Sequence, residues 1–390
     1  MLFSSRLCGR KNRQQMLSES RPTVCFILGT RQEAIKCAPV IRAMRKEPDL
    51  RVRLLVTSQH RELQDSVLDL FDLQPDWDLH IMQQKQDLQD VIARLWRGIC
   101  GVFAQERPDL VLVQGDTSSA FVGGLAAAFH RIPVGHIEAG LRTYRDDMPF
   151  PEEIQRRLLS HLTRLHFAPT EHAKQNLLNE GIPSDRIHVV GNPGVDAFLE
   201  IADGHLPPLD PTVVEFLREG KKILLTTIHR REHWGKIIEE ICRGIRTLLE
   251  SNEELVLVHL LHPNPLVQHP FRETFSDCPR AVLLPAQPYA ACLAYLNNAH
   301  LVMTDSGGIQ EEAPYFGKPV LILRETTERP EGIEAGAARL AGVNPDRIVQ
   351  EAERILHNPS VYDAMAQKRA PYGDGKSAPR IAQIVRKFLV

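Results

Sequence analysis

One pattern governs what this chain can fold into: a short apolar run, a loop and a helix-like segment, repeated along almost its whole length. From Thr23 the run TVCFILGT ends in a glycine turn and is followed by EAIKCAPVIRAMRKE. LRVRLLVTS, DLVLVQGD, PVGHIEAG, LHFAPT and RIHVVGN are further strand candidates with helical segments between them. Apolar runs of this length alternating with helices belong to a parallel sheet covered on both faces. Between Gly191 and about Gly220 the alternation breaks in a stretch rich in Gly, Pro and Asp, which reads as a domain junction. A second series then begins, with KKILLTTI, ELVLVHLL, AVLLPA, AHLVMTDS and PVLILR as its strands. The expected architecture is therefore α/β, with two doubly wound domains over residues 22–192 and 193–376. Open α/β sheets bind ligands beyond the carboxyl ends of their strands, so an interdomain cleft is the expected site. A last helical segment, residues 377–390, is expected to pack back on the first domain.

Composition narrows the functional class. The 390 residues carry 47 Lys plus Arg against 49 Asp plus Glu, a net charge of −2, which argues against broad binding to nucleic acid or membrane surfaces. No apolar run approaches the roughly 20 residues of a membrane-spanning helix. The 7 cysteines are scattered and form no CxxC pair, so the chain is expected in a reducing compartment, the cytoplasm, with neither a disulfide framework nor a thiolate zinc site. No HExxH or other metal-ligand spacing occurs, so no metal is expected. GxGxxG and GxxxxGK[ST] are also absent, and no nucleotide cofactor is expected. Residues 1–21 differ from the rest, carrying Arg6, Arg10, Lys11, Arg13 and Arg21 without a continuous apolar stretch. They read as a disordered basic leader or as the product of a start codon placed before Met16, with an organellar transit peptide as the other reading.

The segment TDSGGIQEEAP, from Thr304, is the most specific. It ends a strand and opens a helix, so Ser306, Gly307 and Gly308 would present backbone N–H groups to an anion with no Cβ in the way. Glu312 lies about one turn further on, where it could bind a sugar diol. The plainer reading is an Asp/Ser cap with acids favouring the helix dipole. GTRQEAIK, from Gly29, is a second strand-to-helix turn, and its Arg31 and Lys36 are cations suited to a diphosphate. Asp116 and Glu138 fall at or just beyond strand ends, and Glu152 lies in the turn MPFPEE. Each alone reads as a cap, a turn acid or a first-turn acid, but three acids on one side suggest acid/base work. TTIHRREHWG supplies His229 as a candidate imidazole, with Arg230 and Arg231 as phosphate ligands or surface charges and His233 as the weaker histidine.

Taken together, GTRQEAIKCAPVI, QHRELQDSVLDLF, VQGDTSSAF, GHIEAGLRT, PFPEEIQRR, LHFAPTEHAKQNLL, HRRE, HPNP, TDSGGIQEEAPYFGKPVLILRETTERPE and YGDGKSAPRI resemble the non-hydrolysing UDP-N-acetylglucosamine 2-epimerases. The likeness runs in order from about Thr23 to Ile381. It implies a GT-B-like fold of two Rossmann-type domains, a homodimer, and reversible conversion of UDP-N-acetylglucosamine to UDP-N-acetylmannosamine for surface polysaccharide synthesis. It implies elimination of UDP across C1–C2 to a bound glycal, followed by re-addition with protonation on the other face. By the same resemblance Asp116, Glu138, Glu152 and His229 are the catalytic residues. Arg31, Lys36, Gln287, Ser306, Gly307, Gly308, Glu312 and Arg329 contact the nucleotide sugar. Some bacterial members bind a second UDP-N-acetylglucosamine as activator, and the matching positions are Gln59, Glu62, Lys85 and His262.

The chain departs from the family pattern in places. Gln32 stands for the proline of GTRPEAIK, His233 for the asparagine of HRREN, Gln155 for the asparagine of PEExNR, and Cys292 for a frequent aromatic. Glu62 and Lys85 replace Gln and Arg of the activated members. Three rival readings differ in class: a hydrolysing epimerase releasing UDP and free N-acetylmannosamine, a GT-B glycosyltransferase, and a catalytically silent nucleotide-sugar sensor.

Overall fold

The computed structural model describes residues 21–57, 67–82 and 87–390. The basic leader, except for Arg21, and the candidate activator residues Gln59, Glu62 and Lys85 lie outside the described residues. The chain divides into two compact units.

The first unit comprises residues up to Gly140, Ile154–Pro193 and Lys376–Val390. Its sheet is built from β1 (Thr23–Leu28), β2 (Arg51–Val56), β3 (Trp77–Asp78), β4 (Leu110–Gln114), β5 (Val134–Ile137), β6 (Leu165–Ala168) and β7 (Ile187–Val189). All neighbours pair in parallel, in the order β3-β2-β1-β4-β5-β6-β7. Strands β1, β4, β5 and β6 are buried along their whole length, as the continuous apolar runs require. Helices on the sheet complete a core in which Ile27, Leu55, Val111, Val113, Leu95, Ile99 and Leu159 pack together. The helix Ser377–Leu389 belongs to this unit, and its Arg386 Nε lies 3.0 Å from Asp49 Oδ2.

The second unit comprises Leu141–Glu153 and Gly194–Gly375. Residues 141–153 thus group with it and apart from the chain on either side. Its strands are β8 (Lys222–Thr227), β9 (Leu255–Leu260), β10 (Ala281–Leu284), β11 (Leu301–Thr304), β12 (Val320–Ile322) and β13 (Ala338–Leu340). They form a second all-parallel sheet in the order β10-β9-β8-β11-β12-β13. The helix Lys236–Ser251 buries Ile238, Ile241, Ile245, Leu248 and Leu249 at helical spacing on this core.

Two findings differ from the sequence reading. The Gly/Pro/Asp-rich stretch 191–220 contains two helices, Pro193–Ala202 and Pro211–Arg218. Each begins on a proline, whose missing N–H costs nothing in the first turn, and Asp210 caps the second by accepting from Thr212 N–H at 2.9 Å. The edge strands β3 and β13, of two and three residues, were also not anticipated.

In both sheets the strand order reverses once, between β1 and β4 and between β8 and β11. At such a switch point the loops leaving the two strands turn to opposite sides and open a crevice at the carboxyl edge. Gly29–Thr30 and Gly115–Thr117 leave the first switch point, and Ile228–Arg230 and Asp305–Gly308 leave the second. Of the candidate site residues, Asp116, His229, Ser306, Gly307 and Gly308 lie in these loops, and Arg31 directly follows one of them.

Candidate active site

In the first unit, Thr30 caps the helix Arg31–Arg45, accepting from Glu33 N–H. Arg31 opens that helix, and Lys36, one turn on, is buried on its inner face. Its ammonium donates to Glu138 Oε1 at 2.8 Å, and the Gln114 amide donates to the other carboxylate oxygen. Glu138 follows β5 with φ +65°, a left-handed conformation that a residue with a Cβ adopts only under strain. Gly115, at φ +69°, turns the chain beside it, and a Cβ there would lie 3.7 Å from Glu138 Oε2. The two loops together aim one buried, doubly bonded carboxylate at the switch point.

Asp116 does not cap the following helix. Thr117 takes that role, accepting from Ala120 N–H at 3.1 Å, which leaves Asp116 to pair with the buried guanidinium of Arg156. Arg156 is carried by the helix Glu152–Leu162, whose first residue is Glu152, so the third acid lies one turn before the arginine that holds Asp116. The two cis peptide bonds Met148–Pro149 and Phe150–Pro151 precede it.

Glu33 joins the two loops of this switch point. Fully buried, it accepts from Gly29 N–H at 3.0 Å and from the Thr117 hydroxyl at 2.8 Å. Burial pushes its carboxyl up to about 7, more than its hydrogen bonds with Thr117, Thr30 and Gly29 can offset.

In the second unit, Gly307 and Gly308 occupy the first two positions of the helix Gly307–Glu312, where N–H groups have no intrahelical acceptor. Ser306 corrects the sequence reading, since its N–H is not open but donates to Thr304 Oγ1 at 2.9 Å. Its side chain makes no capping bond either. The Arg329 guanidinium lies directly over Gly307, and a Cβ there would sit 2.6 Å from Arg329 Cζ. Only glycine lets a cation and a helix start converge on one spot. Arg329 Nε donates to Glu311 at 2.6 Å, and Arg329, Arg230 and Arg324 all donate to the buried Glu328 carboxylate. This network settles Arg230, which is tied into it rather than presented at the surface. Glu312 is buried and accepts from the Tyr289 hydroxyl at 2.6 Å. Gln287 donates to Pro285 O at 2.8 Å, and Cys292 Sγ lies 3.7 Å from Gln287 O.

Asp305 directly follows β11 with no exposure and receives the backbone N–H groups of His229 and Arg230. Its carboxylate also meets Nδ1 of His229 at 3.3 Å and Nδ1 of His233 at 3.0 Å. Burial alone would raise its pKa, but the two imidazoles and the backbone donor hold it well below the usual carboxylate range. The His229 ring stacks on that of His262 with centroids 5.9 Å apart. His262 itself accepts from Asn264 N–H at 3.2 Å. Among the described residues no group of three or more His, Cys, Asp or Glu side chains is arranged to hold a metal ion, and no helix is long and apolar enough to cross a membrane.

A family model described as UDP-N-acetylglucosamine 2-epimerase matches residues 42–386. The chain belongs to the UDP-N-acetylglucosamine 2-epimerase family. Among its relatives, the UDP-N-acetylglucosamine 2-epimerase of Salmonella typhimurium is 45% identical over 372 residues, 94% of this chain and 99% of that protein. The crystal structure of UDP-GlcNAc 2-epimerase from Neisseria meningitidis bound to UDP-GlcNAc shares 40% identity over 94% of this chain and all of its own, with a TM-score of 0.89. That from Methanocaldococcus jannaschii in complex with UDP-GlcNAc and UDP shares 33% identity, covers 94% and 99% of the two chains, and has a TM-score of 0.82. The fold is GT-B-like with two Rossmann-type units, as the epimerase motifs led one to expect.

Around the epimerase motifs, sequence reasoning passed over Glu33, Gln114, Arg156 and Asp305 as functional residues. All four lie inside the quoted runs, but their roles depend on partners that the spacing does not show. Gln114 is the last residue of an otherwise apolar strand, which is the one signal that marked it.

Proposed function

We propose that this chain is an epimerase that interconverts UDP-N-acetylglucosamine and UDP-N-acetylmannosamine without hydrolysing either. The C2 hydrogen of the sugar is not acidic, so direct removal and return is costly. Elimination avoids that cost: as the C1–oxygen bond breaks and UDP departs with its electron pair, the positive charge growing at C1 makes the C2 hydrogen acidic, and a carboxylate takes it to leave a C1=C2 glycal. Return of the UDP oxygen to C1 with protonation at C2 from the opposite face gives the epimer. Two of the acids Asp116, Glu138 and Glu152 serve as base and acid. The N-terminus at Gly307–Gly308, together with Arg329, keeps hold of the departing diphosphate. His229, whose Nδ1 lies 3.3 Å from Asp305, offers Nε2 to the leaving oxygen.

The observation that carries this reading is the pairing of Gly307 with Arg329 in the same chain that buries Glu138 against Lys36. One cluster suits a diphosphate and the other suits proton transfer, and elimination with re-addition needs both. The HRRE, PFPEE and TDSGGIQEEAP blocks favour the non-hydrolysing branch. The same reading makes the enzyme a cytoplasmic homodimer that supplies an activated N-acetylmannosamine for polysaccharide synthesis.

Incubation with UDP-N-acetylglucosamine in heavy water, without added nicotinamide or metal, tests it by NMR. The expected product is UDP-N-acetylmannosamine carrying deuterium at C2, with little free sugar. Accumulation of UDP and free N-acetylmannosamine would assign the hydrolysing reaction instead. Absence of any conversion would make the chain a sensor.

A further inference from the structure

We propose that Asp305, seated by His233, is the positioning carboxylate that fixes the orientation and tautomer of His229. This rests on the reading of His229 as a group that touches the substrate, but the geometry stands without it. Asp305 has no exposed surface and is enclosed by donors. Its Oδ2 lies 3.0 Å from His229 N, 2.9 Å from Arg230 N and 3.0 Å from His233 Nδ1, while Oδ1 lies 3.3 Å from His229 Nδ1. A carboxylate so placed only accepts, so His233 turns a hydrogen-bonded Nδ1–H towards it, while His229 holds its Nδ1 beside it at ion-pair distance.

The two imidazoles differ in what they leave open. The His233 side chain is 4% exposed and that of His229 is 40% exposed. His233 therefore serves within the protein as a fixed donor that keeps Asp305 from rotating. With Nδ1 of the half-exposed His229 turned to Asp305, Nε2 is the nitrogen left for a ligand. In the neutral ring that nitrogen accepts a proton, and in the cation it donates one. This is the arrangement in which a buried carboxylate sets the tautomer of a working histidine. Because Asp305 directly precedes the Ser306–Gly308 turn, the same residue ties His229 to the helix start at Gly307.

The test uses the full chain labelled with 15N-histidine, with the His229 resonances assigned by their loss in H229Q. In the unsubstituted protein neutral His229 is expected as the Nδ1–H tautomer. His233→Leu removes the fixed donor, and His229 should then shift towards the Nε2–H tautomer, with kcat falling about tenfold or more and KM little changed. His233→Asn keeps an N–H donor and should retain both the tautomer and most of kcat. Asp305→Asn should shift the tautomer more strongly than His233→Leu. An Nε2–H tautomer in the unsubstituted protein, or an unchanged His229 spectrum in His233→Leu, overturns the proposal. Equal loss of kcat in His233→Leu and His233→Asn also overturns it, since volume rather than donation would then matter. If the unsubstituted protein does not epimerise, the proposed function fails, and the tautomer spectra alone decide the positioning role.

Discussion

Lys36 and Glu138 meet at 2.8 Å with both side chains all but closed to solvent, although 102 residues separate them in the chain. Such a pair contributes little net stability, but loss of one partner leaves a buried, uncompensated charge. Lys36→Met should therefore destabilise the first unit by about 3–5 kcal/mol and abolish measurable turnover. The double variant Lys36→Met/Glu138→Gln should recover most of the stability and none of the turnover. Denaturant unfolding with parallel assays separates the two effects. Unchanged unfolding in Lys36→Met would show that the ion pair does not form.

Asp116 is held by Arg156 and spared from capping, because Thr117 caps the helix in its place. In Asp116→Asn the side-chain oxygen can still accept from Arg156 and the cap is untouched, so fold and UDP affinity should persist. Loss of an acid/base group should lower turnover by ~10²-fold or more. Calorimetric titration with UDP and initial-rate measurements check both halves. Full activity would remove Asp116 from the mechanism.

The parts of this protein legible in its sequence are those whose cause is local. Strands such as TVCFILGT and DLVLVQGD are buried on both faces, and continuous apolarity marks them without reference to any neighbour. The edge strands Trp77–Asp78 and Ala338–Leu340 are too short to show a period, and only their ladders with β2 and β12 identify them. The helices after Gly191 hide in a Gly/Pro/Asp-rich stretch that reads as a junction, because a proline in the first turn starts a helix and its composition looks the same as a break. The acids and glycines of the site stand in recognisable motifs. The pairings that hold them are not legible even where the holders stand in those motifs, because Arg156 reaches Asp116 across 40 residues and His233 reaches Asp305 across 72.

Gly307 is the position where one methyl group decides the diphosphate site. An added Cβ would fall 2.6 Å from Arg329 Cζ and 2.7 Å from its Nη1, closer than real contacts allow. Gly307→Ala should push the guanidinium off the helix start while Glu311 and Glu328 keep it paired. Loss of one charge-assisted contact costs about 1.5–3 kcal/mol, so UDP affinity should fall about tenfold or more, with thermal stability little changed. Calorimetry with UDP measures this. Undiminished affinity would mean that the anion binds elsewhere.

Glu33 makes the stability of the first unit depend on pH in an unusual direction. Its folded pKa is about 7 against an ordinary 4.5. Below the ordinary value both folded and unfolded chains hold the proton, and its contribution is fully present. As the pH rises from about 4.5 to 7 the unfolded chain releases the proton while the folded chain retains it, so stability falls, and above 7 the loss is complete. The shift corresponds to a loss of about 3 kcal/mol across the window. Glu33→Gln has no proton to lose, and the Thr117 hydroxyl can turn to accept from its amide. Urea unfolding between pH 5 and 8 should show the unsubstituted protein weakening relative to the variant as the pH rises. Parallel curves would show that the carboxyl is already ionised in its buried setting, held there by the Gly29 N–H and the Thr117 hydroxyl.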